Sequence, residues 1–151
     1  MTSQEHVSLA PLTTFNVGGE ARFFSEARSF DEVRDALEFA RAQSLPVFVL
    51  GGGSNIVVAD SGFDGLVLAV RIPGIAVEEK GRRVRVTAGA GVAWDDLVIF
   101  SIAHGFAGLE CLSGVPGTVG GAVVANIGAY RAEISDVFAS ADVLDLTEQK
   151  L

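Results

Sequence analysis

Cys111-Leu-Ser-Gly-Val-Pro-Gly-Thr-Val-Gly-Gly-Ala-Val-Val-Ala-Asn-Ile-Gly-Ala-Tyr130 lies between Glu110 and Arg131 and runs for twenty residues without a charge. Five of these residues are Gly and one is Pro, and the polar groups are Ser113, Thr118, Asn126 and the Tyr130 hydroxyl. A stretch so poor in side chains can bring main-chain N–H groups directly against a ligand. A second stretch does the same earlier, where Gly51-Gly52-Gly53-Ser54-Asn55 comes after the apolar run Val47-Phe48-Val49-Leu50. Two glycine-rich cradles in one small chain point to a phosphate-bearing cofactor held between them.

Composition sets the outer bounds. The chain has 151 residues, 49% hydrophobic and 20% charged, which is enough for one globular domain with a real core. Eighteen Gly exceed the average usage of about 7%. Nineteen acidic against eleven basic residues give a net charge of −8, which argues against a nucleic-acid partner. It leaves room for one bound diphosphate, which neutral amides and helix N-termini can hold. One Cys with two His rules out an internal disulfide and the usual closed zinc site, so no metal is expected. The opening Met1-Thr-Ser-Gln-Glu-His6 has no secretory pattern, and the cytoplasm is the expected compartment. The uncharged stretch is long enough to raise the membrane question, but Pro116, Asn126 and its glycines make it a poor spanning helix.

The pattern of elements predicts an α+β domain. Residues 1–12 read as a loose lead-in and 13–151 as the domain. Ser29-Phe-Asp-Glu32 fits a capping box, with Ser29 as N-cap and Glu32 reaching back. Val33, Ala36, Leu37 and Ala40 then give an amphipathic helix over 30–43. Val47–Leu50 and Leu66–Val70 read as buried strands, and Ile75/Val77 with Val84/Val86 as a hairpin about Lys80-Gly81. Trp94, Leu97, Val98 and Ile102 mark a second helix with Gly105 as its C′ residue. Residues 137–146 alternate and predict a further strand; with no partner strand after it, the sequence reads as cut short.

The glycine loops fail two familiar fingerprints. Ile56 stands where G-x-G-x-x-G needs its last Gly, and the residues after it do not start a helix, so a dinucleotide-binding turn is excluded. No Gly-Lys-Ser/Thr is present, so neither is a nucleotide-hydrolysing P-loop. A plain tight turn remains the alternative at 51–55, as does a turn-capping role for Asn126. Gly89-Ala-Gly91 reads as a plain loop. The catalytic inventory is thin: His104 suits a structural or dipole-facing role, Cys111 a buried inert thiol, and Asp31, Glu32, Asp95 and Asp96 helix first turns. His6 falls in the lead-in, and Tyr130 is either functional or an amphipathic residue at the edge of the core.

Leu12-Thr-Thr-Phe-Asn-Val-Gly-Gly19, Gly51–Asn55, Leu109–Ala122 and Asn126–Tyr130 occur in the order and approximate spacing of the UDP-N-acetylenolpyruvoylglucosamine reductases, which are UDP-N-acetylmuramate dehydrogenases. From about residue 11 onward the chain resembles the N-terminal half of that family. The resemblance implies a bacterial cytoplasmic flavoenzyme of peptidoglycan precursor synthesis with an FAD domain of the vanillyl-alcohol-oxidase type, built of two small subdomains with mixed sheets and flanking helices. Members use NADPH to reduce FAD, which then reduces UDP-N-acetylglucosamine enolpyruvate to UDP-N-acetylmuramate. Carried onto this chain, Gly51, Gly52, Gly53, Ser54, Asn55 and Ile56 would hold the diphosphate from one side. Ser113, Gly114, Pro116, Gly117, Thr118, Gly120, Gly121 and Ala122 would hold it and the flavin from the other. Asn126, Ile127 and Ala129 would line the isoalloxazine side, and Tyr130 would face the UDP-sugar.

Two departures accompany the resemblance. The family has Gly after the Tyr of its last motif, where this chain has Arg131; if that position needs φ > 0, Arg costs strain or moves the turn. The family's catalytic Arg, Ser and Glu all fall beyond the equivalent of Leu151, so no catalytic residue is expected here and the chain alone is expected to be inactive. A truncated domain of this kind would also expose an edge for self-association. A different flavin oxidoreductase of the same fold and a non-catalytic relic module remain as alternatives.

Overall fold

The computed structural model describes residues 3–81 and 83–145. Four strands form a mixed sheet in the order β1-β2-β4-β3: β1 is Gln4–Ser8, β2 Glu20–Ala27, β3 Val47–Leu50 and β4 Phe63–Val70. The central β4 runs parallel to both β2 and β3, and β1 is antiparallel to β2. A strand buried on both faces needs apolar residues at every position, and Leu66-Val-Leu-Ala69 supplies them. Leu66 and Leu68 face helix α1, Phe30–Ala42, together with Phe23, Ala27, Val33, Ala36, Leu37 and Ala40. Val67 and Ala69 face the other way, against Leu9, Ala21, Phe24 and Leu50.

The structure bears out helix α1 and the strands at 47–50 and 66–70, the last beginning three residues earlier, but the 47–50 strand is not buried as expected: it is an edge strand with Phe48 and Val49 exposed. Ser29 Oγ accepts from the Glu32 N–H at 3.2 Å, as a cap requires. The Glu32 carboxylate accepts from Arg28 N–H at 2.5 Å instead of from Ser29, so the reciprocal half of the box is displaced by one residue.

Two further expectations are corrected. The lead-in expected over 1–12 is not loose where it is described, from residue 3 on, because β1 pairs with β2 from Gln4↔Phe24 to Ser8↔Glu20 and a 3₁₀ turn comes next at Ala10–Leu12. β1 is an edge strand of polar residues, with only Val7 partly buried, so its hydrogen bonds leave no apolar alternation in the sequence. Nor do residues 137–145 form a strand: among the described residues they have no neighbouring strand, Phe138 and Val143 are exposed, and Leu144 packs against the α1 cluster. Leu146 and the tail after it lie outside the described residues.

The chain then builds a second cluster. The hairpin β5 (Ile75–Lys80) and β6 (Arg83–Ala88) is paired from Ile75↔Ala88 to Lys80↔Arg83. Helix α2 covers Trp94–Ala103, with Gly105 beyond it at φ 71°. Helix α3 covers Val119–Ala125 and leads into a short hairpin, β7 (Gly128–Ala129) with β8 (Ala132–Glu133). Trp94 is the centre of this cluster, 1% exposed, with its Nε1–H donating to the Leu112 carbonyl at 2.9 Å. Leu97, Val98, Leu112, Ala122 and Ile134 pack around it. Backbone joins the two clusters: Gly91 N–H donates to the Ile72 carbonyl at 2.9 Å, and the Gly89-Ala-Gly91 loop lies directly on residues 71–73. That is the plain-loop role its sequence suggested.

Candidate functional site

The two glycine-rich segments meet where β3 ends and α3 begins. Ser54 Oγ donates to the Pro116 carbonyl at 3.2 Å. A Cβ on Gly52 would lie 2.7 Å from Gly117 Cα, and one on Gly51 would lie 3.1 Å from Thr118 Oγ1. The two loops are therefore packed backbone on backbone, and Gly52 has to be Gly for that reason alone. The lead-in motif joins them, since Thr14 N–H donates to the Gly53 carbonyl at 3.0 Å and Thr13 Oγ1 closes its own turn on Ala10 and Val17.

Many amides of the second loop are occupied inside the protein. Val119 N–H donates to Val92, Gly120 N–H to Ala90 and Ala122 N–H to Thr118, all to carbonyl oxygens. Thr118 is the N-cap of α3, and its Oγ1 accepts from Gly121 N–H at 3.4 Å. Asp95 Oδ1 takes both the Ser113 hydroxyl at 3.0 Å and Gly114 N–H at 2.7 Å, so it anchors the 113–114 turn as well as opening α2. What remains is a compact group. It includes the amides of Gly52, Gly53, Ser54, Asn55, Gly117 and Thr118, which have no acceptor among the described residues. Main-chain donors left without a partner in this way are normally taken up by water or by a ligand, and a run of them suits a diphosphate.

The remaining predicted residues are placed differently. Asn126 caps α3 in the left-handed region at φ 43°, its Nδ2 donates to Glu133 Oε2 at 2.9 Å, and its Oδ1 accepts from Ser135 N–H at 3.2 Å. Both ends of its amide are thus used within the chain, which is the turn-capping alternative. Ile127 and Ala129 pack against the Trp94 cluster. Tyr130 stands 87% exposed on the β7–β8 turn, and no hydrogen bond joins it to either glycine loop. His104 stacks on Phe100 at 4.1 Å, and its Nδ1 lies 2.8 Å from the Phe100 carbonyl, a structural role. Cys111 is exposed, against the expectation of burial, because the 3₁₀ turn Glu110–Leu112 gives its inward position to Leu112. Among the described residues no group of acidic, His and Cys side chains could hold a metal, and no helix is long and apolar enough to cross a membrane.

Sequence reading missed Arg71. It comes directly after β4, and its Nη1 donates to the Gly51 carbonyl at 2.9 Å and the Val70 carbonyl at 3.2 Å. No motif marks it, because the contact spans twenty residues and depends on β3 and β4 being neighbours.

Residues 21–149 match the family described as FAD binding domain, and the chain belongs to that family. More particularly, the chain is similar to the UDP-N-acetylenolpyruvoylglucosamine reductase of Pseudomonas fluorescens (strain Pf0-1), at 47% identity over 94% of this chain and 42% of that protein. The reductase of the same name from Saccharopolyspora erythraea is 44% identical over 91% of this chain and 38% of its own length. The crystal structure of UDP-N-acetylenolpyruvylglucosamine reductase from Thermus caldophilus superposes with a TM-score of 0.69 at 31% identity, covering 89% of this chain and 47% of that one. The chain therefore spans about two-fifths of the length of the curated relatives it matches.

Proposed function

We propose that this chain is the FAD-binding part of an NADPH-dependent reductase that converts UDP-N-acetylglucosamine enolpyruvate to UDP-N-acetylmuramate in peptidoglycan precursor synthesis. The observation that carries the reading is the contact between the 51–55 and 116–121 loops, with unpartnered amides on both of them. A diphosphate would be held by the amides of Gly52, Gly53, Ser54, Asn55, Gly117 and Thr118, with Gly51, Ile56 and Pro116 shaping the loops around it. Ser113, Gly114, Gly120, Gly121 and Ala122 would act through the backbone they fix, since their donors are used within the chain. Asn126, Ile127 and Ala129 would form the wall beside the isoalloxazine, and Tyr130, free at its hairpin tip, would reach the UDP-sugar.

Bound FAD supplies hydride chemistry that no side chain can supply. The task of these residues is to hold its diphosphate with uncharged dipoles that are already in place. Names carried by relatives support a reductase acting on a UDP-sugar for the whole protein, and NADPH is the reductant proposed for it. Titration of the purified chain with FAD, monitored by quenching of flavin fluorescence, is expected to saturate at one flavin per chain. Absence of saturable quenching contradicts the reading. The substrate is tested in the whole protein, where NADPH oxidation is expected to depend on the enolpyruvyl sugar; NADPH oxidation that oxygen alone sustains points instead to an oxidase of the same fold.

A further inference from the structure

Arg71 is half-buried at the end of β4 and bonds to two main-chain carbonyls. Three other arginines of the sheet layer are surface groups with carboxylate partners: Arg22 with Asp64, Arg28 with Glu26, and Arg34 with Asp31. Among the described residues, Arg71 is the basic side chain bonded to a glycine loop, and no carboxylate is paired with it. Peptide dipoles compensate a half-buried guanidinium only in part, so its charge remains available to a nearby anion.

Geometry shows how that charge would be used. The Gly51–Gly52 peptide is trans, so its C=O and N–H point in opposite directions. With the Gly51 oxygen held by Arg71 at 2.9 Å, the Gly52 N–H is turned away from the guanidinium. The next unit but one is fixed in the same manner, because Thr14 N–H holds the Gly53 oxygen at 3.0 Å and so turns the Ser54 N–H away. Both released amides belong to the unpartnered group. A cation on the carbonyl of a peptide also polarises it, which strengthens the N–H at its other end as a donor.

We propose that Arg71 is a positioning residue of a diphosphate site: its guanidinium anchors the Gly51 carbonyl from behind, aims the Gly52 amide at the anion and lends it charge through that peptide. The assignment rests on the flavin reading above and adds to it the residue that sets the loop. Two variants separate its parts. R71Q keeps a donor for the Gly51 carbonyl and removes the charge; R71K keeps the charge.

Each variant is compared with the unsubstituted chain by thermal unfolding and then titrated with FAD and with riboflavin, which lacks the diphosphate. R71Q is expected to lose FAD affinity by about tenfold or more and riboflavin affinity by less than about twofold, with R71K close to the unsubstituted chain. Unchanged FAD affinity in R71Q, or an equal loss for both flavins, overturns the assignment. Should R71Q not fold, R71K decides alone: retained FAD binding supports the role of the charge, and its loss in a folded R71K contradicts it. If the unsubstituted chain binds neither flavin, the flavin reading itself falls and this assignment falls with it.

Discussion

Arg131 sits at φ 66° and Tyr130 at φ 51°, side by side in the two-residue turn that joins β7 to β8. Two consecutive positive φ values are what a two-residue hairpin of this hand requires, and Gly is the residue that adopts them without strain. The chain keeps the turn and bears the strain of a side chain, so of the two outcomes foreseen for Arg at this position, strain is the one realised. Arg131→Gly is therefore expected to raise stability by about 1 kcal/mol, read as a rise of roughly 3 °C in the thermal midpoint. An unchanged or lower midpoint would contradict the assignment of strain. Gly52 makes the opposite case, because its added Cβ would meet the Gly117 backbone at 2.7 Å. Gly52→Ala is expected to cost about 1–3 kcal/mol by prying the loops apart. Gly121→Ala serves as the control: it meets only Thr118 Oγ1 at 3.5 Å and lies within α3, so it is expected to be neutral or stabilising in the same melt.

Elements differ in how plainly the sequence announces them. Helix α1 carries its cap and its apolar face in one continuous stretch, and the β5–β6 hairpin carries alternation on both sides of Lys80-Gly81, so both are legible. Strand β2 is not. Its register against β4 slips between Ala21 and Phe23, which puts Ala21 and Phe24 on one face and Phe23 and Ala27 on the other. A slip of that kind breaks the two-residue period by which a strand is read. β1 is hidden for a different reason, as its residues are polar and its strand character lies in hydrogen bonds to β2. Residues 137–145 show the converse, with alternation but no partner strand among the described residues.

The 3₁₀ turn Glu110–Leu112 can be tested at this scale through its acid. The Glu110 carboxyl is held below its usual 4.5 by its own main-chain N–H and then by that of Gly108, which donates to it at 2.6 Å. A carboxyl depressed in the folded state contributes fully above its unfolded pKa and loses that contribution as pH falls through the folded value. Glu110→Gln should thus lower the unfolding midpoint at neutral pH, and its deficit should close as pH drops below the usual carboxylate range. A deficit independent of pH would show that the carboxylate charge contributes nothing there.

Across the whole molecule, two packed clusters are joined by backbone at two places, residues 71–73 against 89–91 and residues 51–54 against 116–118. The second junction is the candidate site. Its glycines were legible because they lie in runs; Arg71 and Asp95 were not, because each acts on a segment far away in sequence. Nor could the sequence tell which amides of the cradles are spent within the fold and which are left over, since that depends on partners such as Val92 and Ala90.

The left-over amides supply the most direct test. In an isotope-labelled sample titrated with FAD and monitored by amide NMR, the account predicts that the largest shifts fall on Gly52, Gly53, Ser54, Asn55, Gly117 and Thr118, with smaller ones at Gly120 and Ala122. Shifts that saturate but cluster elsewhere, such as on the exposed face of β1 and β2, would contradict it.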